Sequence, residues 1–326
     1  MTPLRFEQMY QDEWTELEVS LDRALGRTAG EPALGTISGA HVAALYRRTC
    51  EHLALARARS YPAYIVDRLD RVTAEAHQLI YHRREFGLAR VWDFVTVDFP
   101  SAVRTQASYV AVATATFLLP AVATGLLVYW QPELILSVVN SETAASFEEM
   151  YSPSADSIGR TRTATTDWMM FGFYIRNNIS VAFQCFAGGL FAGLGSLFFL
   201  AYNGVFAGAL AGYLTARGLS PTFYSFVATH SAFELTAIVL SGAAGLKIGH
   251  ALLAPGRLTR RHSLVLATHD SAILLYGVTA MLLVAAAVEA FWSSATWLPS
   301  AVKYSVAALC WTAVLGYFTF QGRHAR

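Results

Sequence analysis

RNNISVAFQCFAGGLFAGLGSLFFLAYNGVFAGALAGYLTARGLSPTFYSFVATHSAFELTAIVLSGAAGLKIGH, residues 176–250, is the stretch that decides the fold class. It is apolar almost throughout and long enough to cross a bilayer more than once, at about 20 residues per helical crossing. Its few polar residues are the unusual part: Asn178, Asn203, His230, Glu234 and Lys247 lie in or beside segments that lipid or other helices must surround. Such groups are costly in a membrane and face a bundle interior or a water-filled cavity. Small residues recur at four-residue spacing in three runs: Gly204, Gly208 and Gly212; Gly189 and Gly193; Ser241, Gly245 and Gly249. That spacing puts each run on one helix face, where a missing side chain lets a neighbouring backbone approach. The expectation is a tightly packed helical core with a polar seam.

Composition agrees. Of 326 residues, 54% are hydrophobic and 14% charged, with a mean hydropathy of +0.38. Soluble domains carry about 25% charged residues. A net charge of +1 argues against a nucleic-acid partner, which calls for a basic face. Cys50, Cys185 and Cys310 are far apart, with no paired spacing for zinc or redox chemistry. The first residues, MTPLRFEQMYQDEW, contain no apolar run of the secretory type, so no cleavable signal peptide is expected.

Outward from the apolar stretch, residues 1–104 carry acids and arginines in near balance and read as a cytoplasmic helical domain of about three helices, ending in an interfacial segment. Leu4, Met9, Leu17, Leu21 and Leu25 suggest the stripe of a first helix; Gly26, Gly30, Pro32, Gly35 and Gly39 a loop; Ser38 the cap of a second helix; Pro62 the start of a third. Residues 90–104 mix Trp92, Phe94 and Phe99 with arginines and acids, as a segment at the membrane surface does. The transmembrane domain, 105–326, is expected to hold about six spans: 108–130, 179–200, 205–217, 228–253, 264–291 and 300–320. In this reading Asn203 and Gly204 form the turn between the second span and a short third one. Residues 131–177 form an acidic excursion, with a short helix near 147–151 signalled by Ser146 and Glu149. Arg257, Arg260 and Arg261 mark the 254–263 loop as cytoplasmic, so six spans put both termini on that side and the excursion outside.

Two stretches carry a resemblance: LYRRTCEHLALARARSYP and LDRVTAEAHQLIYHRR within 45–84, and the 175–249 region with Asn177, Asn178, Asn203, Gly204, His230, Glu234, Gly242 and Gly245. Together they resemble the stage II sporulation protein M (SpoIIM) family of bacterial integral membrane proteins, in its long form with an N-terminal helical domain. The resemblance implies a non-enzymatic scaffold or assembly component at the bacterial inner membrane. It further implies a cytoplasmic partner linked to a MoxR-type AAA+ ATPase and a von Willebrand factor A-type protein. No reaction, ligand or cofactor is implied, and the family name does not place this chain in sporulation.

No catalytic motif is present: no nucleophile elbow, no HExxH, no Walker loop and no dinucleotide fingerprint. His230 and Glu234, four apart, share one helix face. They suit a structural polar pair, a solute or proton path as in a transporter or channel, or a metal or catalytic site, as in an intramembrane metal-dependent hydrolase. Zinc needs three or four protein ligands, and spacing supplies no third. His269 and Asp270 stand in the fifth span, and Lys247 either snorkels to the interface or pairs with Asp270. The expected partners are lipids, further copies of the chain joined through exposed glycine faces, and the ATPase-linked protein.

Overall fold

The computed structural model describes residues 1–24, 39–81, 87–153 and 167–323, and every regular element among them is helical. The chain divides into two compact units, Met1–Arg90 and Val91–Arg326. The boundary therefore precedes residue 104, because Val91–Arg104 packs with the membrane unit. Phe99 stacks on Phe94 and meets Phe318 edge-on, and the Arg104 guanidinium donates to the carbonyls of Phe318 and Gln321 at 3.1 and 2.7 Å.

The N-terminal unit is a three-helix arrangement of α1 (Pro3–Ala24), α2 (Gly39–Ala58) and α3 (Ala63–Tyr81). Its core is aromatic at one end, with Phe6, Trp14, Tyr61, Ile65 and Leu69, and aliphatic at the other, with Leu17, Leu21, Leu45, Val72 and Ala76. Leu4 and Met9, expected in the stripe, are exposed, because the face that packs runs through Phe6, Trp14, Leu17 and Leu21 instead. Gly39 opens α2 rather than ending the loop. Residues 25–38, with the loop glycines and the Ser38 cap, lie outside the described residues, as do 154–166 of the excursion.

The boundary falls inside α4 (Leu88–Asp93), and the second unit continues with a π-helical stretch (Phe94–Asp98) and α5 (Phe99–Thr105). Six long helices follow: α6 (Ala107–Trp130), then α8 (Asp167–Ala187), α9 (Leu194–Ala216), α10 (Ser220–Leu253), α11 (Arg260–Ala287) and α12 (Ser300–Phe320). Short α7 (Ser141–Met150) precedes α8. Asn140, not Ser146, caps α7: its side-chain oxygen accepts from the Thr143 amide at 2.8 Å. Five helices are long and apolar enough to cross a membrane: α6, α9, α10, α12, and α11 with its extension to Ser293. The chain is a multi-pass membrane protein.

The break expected at Tyr202–Gly204 is absent; α9 runs unbroken through it. Gly204 faces Phe117 of α6, where a Cβ would lie 2.2 Å from the Phe117 carbonyl oxygen. Close approach, not turn formation, uses that glycine. The reversal occurs instead at Gly188–Gly193, where Ala192 and Gly193 take φ of 55° and 83°. Gly189 and Gly193 thus belong to a turn rather than a helix face, yet they still pack tightly, against Gly245 and Gly249 of α10.

Register fixes the topology. Gly204, Gly208 and Gly212 meet Phe117, Ala121 and Gly125 in ascending order, so α6 and α9 run parallel. A parallel pair requires the chain between them to return to the starting end, and α8 makes that return. The α9–α10 contacts, Ser196 with Gly245 and Leu200 with Gly242, run in opposite order, as antiparallel neighbours do. α10 lies at the centre, touching α6, α8, α9, α11 and α12.

Candidate functional site

The expected seam is not one site. Asn203 donates to the carbonyl of Phe199 at 2.7 Å, one turn back on its own helix. Lys247 pairs with Asp270 at 2.7 Å, which settles its alternatives, and His269 beside it is exposed. His230 and Lys247 stand on the order of 25 Å apart along α10, at 1.5 Å per residue.

The other residues converge. His230 is buried in the first third of α10, edge-on to Phe226. Its Nε2 lies 3.8 Å from Oε2 of Glu234, too far for a hydrogen bond. Glu289 supplies the third group, and one ligand atom from each of His230, Glu234 and Glu289 falls within 4.8 Å of the others. Spacing hid this residue, because it stands in another helix, alone in the apolar run AAAVEAFW. A lone acid in such a run was the available signal.

Glu289 sits on a π-helical stretch, Val288–Ser293, that extends α11. Such stretches occur frequently at functional sites. Ser293 of the same stretch places its hydroxyl 3.0 Å from Nδ1 of His230, and its carbonyl accepts from Lys303 Nζ at 2.8 Å. Lys303 is 1% exposed, and its own carbonyl accepts from Thr229 at 3.3 Å. From α8, Asn178 turns its amide toward the Glu289 carboxylate. Neither Asn178 Nδ2 nor Glu289 Oε2, both buried, completes a hydrogen bond.

The segment after α7 closes this end of the bundle. Tyr151 packs edge-on against Phe223 and Phe226, and its carbonyl accepts from Thr222. Its phenol is pushed above the usual range by burial first, then by the charges of Glu289 and Glu234. Glu148 accepts from the Tyr213 hydroxyl and pairs with Arg217 at 3.1 Å, which ties α7 to the end of α9.

The stage II sporulation protein M model matches residues 113–294, just over half of the chain, from α6 to the end of the Glu289 stretch. The chain belongs to that family. The match encloses Asn178, His230, Glu234, Glu289 and Ser293, and leaves Lys303 outside it. A model described as a domain of unknown function (DUF8413) matches residues 4–82, the N-terminal helices. Comparison with curated proteins and with solved structures found no match.

Proposed function

We propose that the chain is a bacterial inner-membrane component of a multiprotein envelope assembly, with no catalysis of its own. In this reading the membrane unit is a rigid frame, and the charged N-terminal helices receive a cytoplasmic partner linked to a MoxR-type AAA+ ATPase.

The observation that carries it is backbone-to-backbone packing. A Cβ at Gly208, Gly189 or Gly249 would lie 2.0–2.2 Å from backbone of the facing segment. Helices in such contact keep a fixed register and move as one body, as a frame requires. The same contacts occupy the glycine faces within one chain, so those faces no longer support self-association.

Orientation follows the charges. Arg257, Arg260 and Arg261 stand at the bundle end shared by α5 and the close of α12, whereas Glu133, Glu142, Glu148 and Glu149 stand at the other. Arginine-rich short loops face the cytoplasm, which supports a cytoplasmic side for both termini.

Photo-crosslinking probes on exposed positions of α2 and α3, placed in the full chain in its native host, test the reading. Capture of the MoxR-type ATPase or its von Willebrand factor A-type companion is expected. Probes that never capture either protein, in cells expressing both, overturn the partner.

A second reading, a transporter or channel for a proton or an unidentified solute, is favoured by the buried His230–Glu234–Glu289 cluster. Its test is flux into proteoliposomes that Glu234→Gln abolishes.

A further inference from the structure

We propose that His230, Glu234 and Glu289 bind one divalent first-row transition-metal ion, of which Zn²⁺ is the type, between α10 and the π-helical end of α11. The proposal stands apart from the scaffold reading, since a metal that clamps two helices serves a frame and a transporter equally.

The donor set points to this class of ion. One imidazole and two carboxylates suit zinc and its neighbours, whereas calcium and magnesium take oxygen ligands. The gap of 3.8 Å between His230 Nε2 and Glu234 Oε2 is too wide for a hydrogen bond. It is within a few tenths of an ångström of the roughly 3.4 Å that separates two donors on a tetrahedral zinc with bonds near 2.1 Å. The third donor, a Glu289 carboxylate oxygen, lies within 4.8 Å of the other two, so a small side-chain adjustment brings all three onto one ion.

The surroundings prepare the ligands. In the tautomer that donates Nδ1–H to the Ser293 hydroxyl, 3.0 Å away, His230 presents the Nε2 lone pair to the cluster. Fixing a ligand imidazole through its other nitrogen is the usual arrangement at metal sites. Lys303 directs its ammonium to the Ser293 carbonyl, and no lysine or arginine among the described residues forms a salt bridge with Glu234 or Glu289. Two carboxylates with no such partner require a cation or a proton.

Asn178 gives the independent observation. It is 2% exposed and comes from a third helix, and its amide is turned toward Glu289 with Nδ2 unpartnered. A donor left unsatisfied at that depth carries the desolvation cost of a buried polar group with no partner to offset it. A water or hydroxide in the fourth position of the ion is the acceptor it lacks.

The test uses the full-length, tag-free protein in lipid nanodiscs, stripped with chelator and titrated with Co²⁺. One equivalent is expected to bind with the intense visible bands of four-coordinate cobalt, to be displaced by Zn²⁺, and to raise the thermal midpoint. Glu289→Gln and His230→Ala each weaken uptake at least tenfold, while Asp270→Asn, at the far end of α10, leaves it unchanged. A wild-type protein that takes up no Co²⁺ beyond the level of those two variants overturns the site and leaves a proton shared by the carboxylates. Because the wild type decides that outcome, it stands even where a variant fails to fold.

Discussion

At the scale of single residues, the N-terminal unit holds the clearest titration. Nδ1 of His52 accepts from the buried Trp14 indole at 3.1 Å, which requires that nitrogen to be unprotonated. Burial, the largest cause, holds the imidazole below its ordinary 6.5, against the pull of Glu13 and Glu51. The unfolded chain therefore binds the proton more readily than the folded one. Stability is full above the unfolded value and declines as pH falls through 6.5 toward the lower folded value. Hydrogen exchange of α1 and α2, corrected for intrinsic rates, is expected to show weaker protection at pH 5.5 than at pH 7.5, and His52→Gln flattens that dependence. Arg68 offers a second test. It grips Glu18 with two nitrogens, at 3.0 and 2.8 Å, and lies over the Trp14 ring. Lysine keeps the charge but loses the fork. Arg68→Lys is expected to cost about 1 kcal/mol in denaturant unfolding, a modest figure because both side chains are about a quarter exposed.

At the scale of elements, the helix contacts separate glycines that look alike in sequence. At Gly208 of α9 a Cβ would lie 2.0 Å from the Ala121 carbonyl oxygen, whereas at Gly316 of α12 nothing lies within 4 Å. Gly208→Ala is expected to destabilise the bundle by about 1–3 kcal/mol, the scale of overpacking. Gly316→Ala is expected to be neutral or to stabilise by up to about 1 kcal/mol through helix propensity. Thermal midpoints in one detergent decide between them; equal shifts would remove the packing argument. The pair Asn203–Gly204 carries the same lesson. Its local chemistry favours a turn, but α9 gains more by bringing Gly204 against α6 than by ending there. Local propensity is weak, and packing overrides it. The six-residue stretch Gly188–Gly193 reverses the chain instead, with its glycines engaged against α10 at the same time.

At the scale of the molecule, topology makes a prediction that the two placements of the break do not share. On a cysteine-free background, Phe191→Cys at the reversal and Leu258→Cys in the basic loop, both exposed, are expected to react with a polar thiol reagent from the cytoplasmic face. Glu142→Cys reacts from outside, and Tyr202→Cys, midway along α9, reacts from neither. Labelling at 202 with none at 191 would restore a turn there and dissolve the parallel α6–α9 pair.

The sequence by itself determined that this is a helical membrane protein with a charged N-terminal helical part. Composition and long apolar runs are enough for that, because a bilayer rejects any chain whose backbone is not satisfied within a helix. It also marked His230, Glu234, Lys247 and Asp270, since a charge in an apolar run stands out whatever it touches. Only the tertiary structure decided which of them meet. Lys247 and Asp270 paired at one end of α10, while Glu289 and Ser293 joined His230 and Glu234 at the other. That choice depends on how α10 and α11 run past each other and on a π-helical stretch at the end of α11. Both are set by packing between helices, with partners 23 residues apart at one end and 63 at the other, which no local spacing records.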